Sequence, residues 1–138
     1  MNEVIRQIDK ANIGKIETDV LLSKHTTYKV GGVAKAFVYP KDVDALVDLL
    51  KILKEYDVKY KVMGNGSNLL FSDKEYDGII IKLDEFDKVE FLNHNKIRVG
   101  AGFSLMKLSL MAARRGLAGL EFAAGIPGSL GGAIVMNA

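Results

Sequence analysis

The stretch from Ala34 to Met63 constrains the fold more than any other part of the chain. Ala34-Lys35-Ala36-Phe37-Val38-Tyr39 reads as a β-strand ended by Pro40. Asp42 to Tyr56 reads as a helix, because Val43, Leu46, Val47, Leu50 and Leu53 recur on one face while Asp44, Asp48, Lys51 and Glu55 lie off it. Asp42 and Asp44 fall in its first turn, where the helix dipole favours negative charge. Lys59 to Met63 reads as a second strand. Strand, helix and strand in this order predict a right-handed parallel crossover, with the helix covering one face of a sheet.

The remaining segments are shorter. Val4, Ile5, Ile8 and Ala11 have helical spacing that stops near Gly14. Residues 15–32 show no clear period and end in a Gly31-Gly32 turn. The loop Gly64 to Asn68 is followed by apolar Leu69-Leu70-Phe71, which reads as a strand. Further strands are predicted at Gly78 to Leu83, Lys88 to Leu92 and Lys96 to Gly100. The turn Asn93-His94-Asn95 makes this part antiparallel. A second helix starts at Ser104, carries Leu105, Leu108 and Ala112 at helical spacing, places Arg114 and Arg115 in its last turn and stops at Gly116.

Charge excludes some function classes. The net charge is +2, and Lys and Arg are interspersed with Asp and Glu, so no run of like charge marks a nucleic-acid or membrane surface. There is no Cys, hence no disulfide and no thiolate chemistry, which fits a cytoplasmic protein. The polar start, MNEVIRQIDKANI, does not read as a signal peptide. The longest uncharged run, Phe122 to Ala138, contains four glycines and Pro127 and falls short of the ~20 apolar residues of a membrane helix.

Two glycine-rich stretches are the candidates for ligand chemistry. Gly64-Asn65-Gly66-Ser67-Asn68, with Leu69 behind it, follows a predicted parallel strand, and ligands of α/β units gather beyond the carboxyl ends of strands. Its glycines let backbone N–H groups approach a ligand, and Ser67 and Asn68 add side-chain donors. The loop contains no Lys, so a phosphate there would be held by neutral groups, which suits an internal diphosphate better than a transferable terminal phosphate. Neither the G-x-G-x-x-G nor the Walker pattern is complete, and a tight turn without a ligand is the plain alternative.

The second stretch is Gly125-Ile126-Pro127-Gly128-Ser129-Leu130-Gly131-Gly132-Ala133. Pro127 suits the first turn of a helix whose N-terminal N–H groups face a phosphate, and Gly131-Gly132 permits close backbone approach. A glycine-lined helix packed on a sheet is the structural alternative. Residues 100–138 hold eight of the fourteen glycines and only four charged residues, Lys107, Arg114, Arg115 and Glu121. A tail of this composition belongs in a core, against a ligand, or against residues beyond these.

The other candidates are weaker. His25 has no neighbouring ligand at metal spacing, so no metal is expected; His94 sits in a polar turn; Glu121 could be structural or near the site; and the Met residues read as core filler. No Ser-His-Asp set and no carboxylate pair stands out.

Taken together, Thr26-Thr27-Tyr28-Lys29-Val30-Gly31-Gly32, Val62 to Leu70, Gly100-Ala101-Gly102, Gly116 to Glu121 and, above all, Gly125 to Ala138 (GIPGSLGGAIVMNA) resemble the UDP-N-acetylenolpyruvoylglucosamine reductase family. The likeness runs from about residue 16 to the last residue. It implies an α+β, two-subdomain FAD-binding fold of the vanillyl-alcohol-oxidase type. An N-terminal helix would occupy about residues 1–15, a first subdomain about 16–83 and an incomplete second subdomain about 84–138. The resemblance further implies that Gly64, Asn65, Gly66, Ser67, Asn68 and Leu69 hold the FAD diphosphate. Ala124, Gly125, Ile126, Pro127, Ser129, Gly131, Gly132 and Ala133 would line the cofactor's other side, with Asn137 close by.

By the same likeness NADPH reduces the flavin, and hydride passes to the enolpyruvyl group of a UDP-sugar to give UDP-N-acetylmuramate, a peptidoglycan precursor needed for cell-wall growth, cell shape and division. The family's proton-donating serine, its partner glutamate, a substrate-contacting arginine and the substrate domain are expected beyond Ala138, so no catalytic residue is assigned. Without that domain the flavin edge would be exposed, FAD affinity should fall, and the apolar tail is expected either to be mobile or to pair with another copy. Another oxidase or dehydrogenase of this fold and a cofactor-free binding module are the alternatives; a yellow colour on purification separates the last from the others.

Flavoproteins of this fold can tether flavin through His or Cys. Cys is absent here and neither His lies within a glycine loop, so the FAD is expected to be noncovalent. Acid precipitation of the yellow protein should leave all flavin absorbance in the supernatant; colour in the washed pellet would contradict this.

Overall fold

Ala36-Phe37-Val38 and Ile79-Ile80-Ile81 are uninterrupted apolar runs, which a strand carries only when both of its faces are covered. All six are fully buried in the computed structural model, which describes residues 1–138. The chain forms two units, Met1–Glu85 and Phe86–Ala138.

In the first unit α1 (Asn2–Lys10), β1 (Gly14–Leu21), β2 (Val33–Pro40), α2 (Val43–Glu55), β3 (Tyr60–Met63) and β4 (Tyr76–Lys82) follow one another. The strands form one sheet in the order β1-β2-β4-β3. β1 is antiparallel to β2, whereas β4 is parallel to both β2 and β3. The crossover through α2 therefore leaves a gap between β2 and β3, and β4 fills it.

Strand alternation sorts the core into two layers. On one face Ala36, Val38, Ile79 and Ile81 pack with Val4 and Ile8 of α1 and with Ala45, Leu49 and Leu53 of α2. These α2 residues recur every four positions, which is the stripe of a surface helix. The Asp42 carboxylate caps α2 by accepting from the Ala45 N–H at 2.8 Å. On the opposite face Phe37 and Ile80 pack with Leu22, Met63 and Phe71. No helix covers this side. Irregular chain does, including a short 3₁₀ turn at Leu22–Lys24.

The second unit contains the antiparallel hairpin β5 (Val89–Asn93) and β6 (Lys96–Val99), then α3 (Leu105–Arg114), a 3₁₀ turn at Glu121–Gly125 and α4 (Leu130–Val135). Ser104 caps α3 by accepting from the Lys107 N–H at 3.3 Å. Its C-terminus closes in the expected way at Gly116, with Leu117 N–H donating to Ala112 and Gly116 N–H to Ala113.

Five expectations need correction. The inward stripe of α2 is Ala45, Leu49 and Leu53; of the expected face, Leu53 is buried, Leu46 and Leu50 only flank the core, and Val43 and Val47 are exposed, because the many apolar residues of this helix allow more than one stripe at helical spacing. Residues 14–21 are a strand; it lies at the edge of the sheet, and its mixed burial hides the period-two signal. Leu69-Leu70-Phe71 is not a strand, because Leu69 and Phe71 serve as irregular cover for the second face. The strand predicted from Gly78 is parallel, since the Asn93–Asn95 turn reports only on the hairpin that contains it. Of the methionines expected to be core filler, Met63 is buried, but Met106 and Met136 are exposed.

Leu49 is fully buried beneath α2. Leu49→Ala should cost about 2–5 kcal/mol and Asp42→Ala about 1 kcal/mol, both read as lower urea midpoints by far-UV circular dichroism. Equal midpoints for the two variants would contradict the packing described.

Candidate functional site

The loop at 64–69 leaves the end of β3 and is pulled inward at two carbonyls. The Gly64 carbonyl accepts from the Lys82 ammonium at 2.5 Å, and the Gly66 carbonyl accepts from the Thr27 N–H at 3.1 Å. Gly66 has φ +72°, and a Cβ there would run into the His25 carbonyl oxygen and lie 2.8 Å from Met63 Cε. Glycine is thus required twice over, for the left-handed backbone and for the close approach.

These inward carbonyls decide where the amides go. There is no cis peptide bond, and in a trans peptide the N–H points opposite to the C=O. The Asn65 and Ser67 N–H groups therefore turn away from the protein body. The amides of Asn65, Gly66, Ser67 and Asn68 have no hydrogen-bond partner in the protein, and neither do the side chains of Asn65, Ser67 and Asn68. Adjacent unpaired amides in such a turn form an anion-binding concavity. A hydroxyl and two carboxamides complete the donor set, and the loop itself carries no carboxylate.

Two supports of this loop were not legible in advance. One is Lys82, whose side chain is 8% exposed and whose ammonium lies 3.4 Å from the half-exposed Asp84 carboxylate. The sequence does hold a signal for it. A charge that closes the buried run Gly78-Ile79-Ile80-Ile81 must find a partner, because an unpaired buried charge is costly. The other support is the His25–Thr27 backbone. The His25 ring packs tilted against Phe37, with 4.7 Å between centroids, and burial, followed by the Lys82 charge, holds its imidazole below the ordinary histidine range. Thr26 is buried, with its hydroxyl donating to the Val30 carbonyl at 3.4 Å. Farther along, Gly32 links the segment to the rest of the unit. Its carbonyl accepts from Leu22 N–H and its N–H donates to the Ser72 carbonyl.

The second candidate set lies in the other unit. Ala124 and Gly125 sit in the 3₁₀ turn, Ile126 is extended, Pro127 belongs to no helix or strand, and Ser129, rather than Pro127, begins α4 as its cap. Pro127 is three residues ahead of the first helical residue, so the expected placement is corrected. The helix start is also not free. Leu130 N–H donates to Phe103 (2.8 Å), Gly131 N–H to Ala101 (2.9 Å) and Gly132 N–H to the buried Ser129 hydroxyl (3.2 Å). Gly131 does permit close approach, since a Cβ there would lie 2.9 Å from that of Ala101. Gly132 and Ala133 continue the helix, and Asn137, at φ +52°, closes it as Ala138 N–H returns to the Ala133 carbonyl.

Other candidates have plain roles. Glu121 accepts from Gly119 N–H at 2.8 Å, and its own backbone amide, followed by that of Gly119, holds its carboxyl below the usual range, so it fixes the 117–121 turn. His94 is exposed at the hairpin tip. An apolar groove of about 450 Å³, lined in part by Ile97, Val99, Leu108 and Leu117, touches the second candidate stretch only at Leu130.

Residues 34–138 match the family model described as FAD binding domain. Over its whole length the chain is 46% identical to UDP-N-acetylenolpyruvoylglucosamine reductase of Halalkalibacterium halodurans and 45% identical to that of Bacillus subtilis. It covers 46% of each, so it spans about half the length of the curated relatives it matches. The crystal structure of the Thermus caldophilus reductase is similar at TM-score 0.72 and 38% identity, over 90% of this chain and 42% of that one. Alkyldihydroxyacetonephosphate synthase is similar in fold alone, at TM-score 0.65 and 17% identity, over 84% of this chain and 25% of that one. The fold is thus the expected α+β FAD-binding fold of the vanillyl-alcohol-oxidase type.

Gly66→Ala places a side chain in a left-handed backbone conformation and against the His25 carbonyl, so it should destabilise the protein by more than about 1 kcal/mol. Gly125 has open space around it, and Gly125→Ala should stay within about 0.5 kcal/mol of the parent. Urea denaturation of both variants measures the contrast, and equal stability would contradict the close approach.

Proposed function

The chain belongs to the FAD binding domain family, and from that premise we propose that its 64–69 loop holds the diphosphate of noncovalent FAD. The protein would be a reductase that converts UDP-N-acetylglucosamine enolpyruvate to UDP-N-acetylmuramate, with NADPH as reductant, in the cytoplasm and as a step of peptidoglycan synthesis. The observation that carries this reading is the row of unpaired amides from Asn65 to Asn68 beside the two inward-turned carbonyls. That donor set fits an anion embedded in a larger ligand. The 45–46% identity to curated reductases along the whole chain supports this choice among FAD-binding proteins.

In this reading Gly64, Asn65, Gly66, Ser67, Asn68 and Leu69 grip the diphosphate by backbone and side-chain donors. Residues Ala124 to Ala133 supply a second contact. Because the three leading amides of α4 are already engaged, that contact is made by the exposed faces of Ala124, Gly125 and Pro127 and by dispersion, rather than by a helix terminus. Asn137 stands at the end of the same segment. FAD, when bound, supplies hydride-transfer chemistry at its ring, and the residues described here bind and orient it. The UDP-sugar and NADPH are partners of the whole protein. No helix is long and apolar enough to cross a membrane.

Titrating flavin-stripped protein with FAD, followed by flavin fluorescence, tests the loop. Saturable binding is expected in the parent. The near-isosteric Asn65→Asp, at an exposed position, should weaken it at least roughly tenfold by placing a carboxylate beside the diphosphate. Absence of binding in the parent, or an unchanged affinity in Asn65→Asp with an intact fold, would contradict the assignment.

A further inference from the structure

Lys82 is the one cation that reaches the loop from within the protein, and the FAD binding proposed above makes no use of it. Its side chain rises from the end of β4, between two strands, and is nine-tenths buried, yet its ammonium ends on a single backbone carbonyl of the loop and on one carboxylate. A packing role alone is better served by an apolar residue, because burying a charge is costly unless its partners are well placed. An ammonium on the Gly64 carbonyl has a second effect. It polarises the Gly64–Asn65 peptide, and hydrogen bonds in series strengthen one another, so the outward Asn65 N–H becomes a better donor.

We propose that Lys82 is a positioning residue for an anionic ligand of the 64–69 loop: through the Gly64 carbonyl it aims and polarises the Asn65 N–H, and it supplies the positive charge that the loop itself lacks. This rests on the diphosphate reading of the loop. Asp84 then acts as a brake. Its half-exposed carboxylate, 3.4 Å from the ammonium, offsets part of the charge the ligand would feel. The loop reads as neutral along the sequence because its cation sits eighteen residues downstream of Gly64.

The test uses the full protein, stripped of flavin, with FAD, ADP and adenosine as ligands and calorimetry as the readout. Lys82→Met keeps the length and removes the charge. It should weaken FAD and ADP by a similar factor, roughly tenfold to a hundredfold, and leave adenosine unchanged, while Lys82→Arg recovers much of the loss. A side chain that merely packs would move adenosine as well and would not be rescued by charge.

Asp84→Asn keeps Lys82 in place and alters a half-exposed residue, so folding is spared. It should tighten FAD and ADP several-fold at low salt, with the gain shrinking as salt is raised. Unchanged ADP affinity in both Lys82→Met and Asp84→Asn overturns the proposal, and Asp84→Asn alone decides if the Met variant does not fold. Parent protein that binds ADP but not FAD removes the flavin reading and leaves the Lys82 claim standing for a diphosphate. Binding of neither removes both.

Discussion

The close approach of the Gly66 backbone to His25 and Thr26 is the constraint on which the rest of the first unit's candidate site depends. With no Cβ at residue 66, the loop sits against the chain that covers the second face of the sheet. That contact places the Gly66 carbonyl on Thr27 N–H, and Lys82 takes the Gly64 carbonyl from below. Two carbonyls turned in mean two amides turned out. The donor surface is therefore a by-product of how the loop is anchored, by one backbone amide and one lysine ammonium.

The same logic explains why the two glycine-rich stretches differ. In the 64–69 loop the amides are left over after the carbonyls are satisfied. At the start of α4 the amides are the groups consumed, by Phe103, Ala101 and Ser129. Similar composition thus yields opposite surfaces, one rich in free donors and one already saturated. Apart from Glu121, the large side chains exposed by α4 and the turn before it are apolar: Phe122, Ile134, Val135 and Met136.

Much of this was legible in the sequence, and the gaps have identifiable causes. Helices α2 and α3 are readable as helices because apolar spacing and the capping Asp42 and Ser104 coincide, but only for α3 does the expected face, Leu105, Leu108 and Ala112, match the buried one; in α2 the stripe is Ala45, Leu49 and Leu53. Strand β1 was not, because an edge strand with mixed burial carries no clean alternation. Leu69-Leu70-Phe71 looked like a strand because apolar content does not distinguish a ladder from irregular cover. The loop itself was found from its glycines and polar residues. Its support was not, since Lys82, Thr27 and His25 are remote in sequence and meet the loop only once the sheet has formed. The expectation that the first amides of α4 face a phosphate fails because a sequence marks where a helix begins and not which carbonyls already face it.

The strand order has a consequence for how the protein comes into being. Strands β2 and β3 are neighbours in sequence but pair only through β4, which is made after both. As the chain leaves the ribosome, the helix between them can form early, yet the gap in the sheet stays open until residues 76–82 have emerged. The loop waits with it, because the ammonium that anchors Gly64 lies at the last position of that strand. The nascent loop thus gains its Gly64 anchor in the same step that closes the sheet, so its shape and the completion of the sheet are one event.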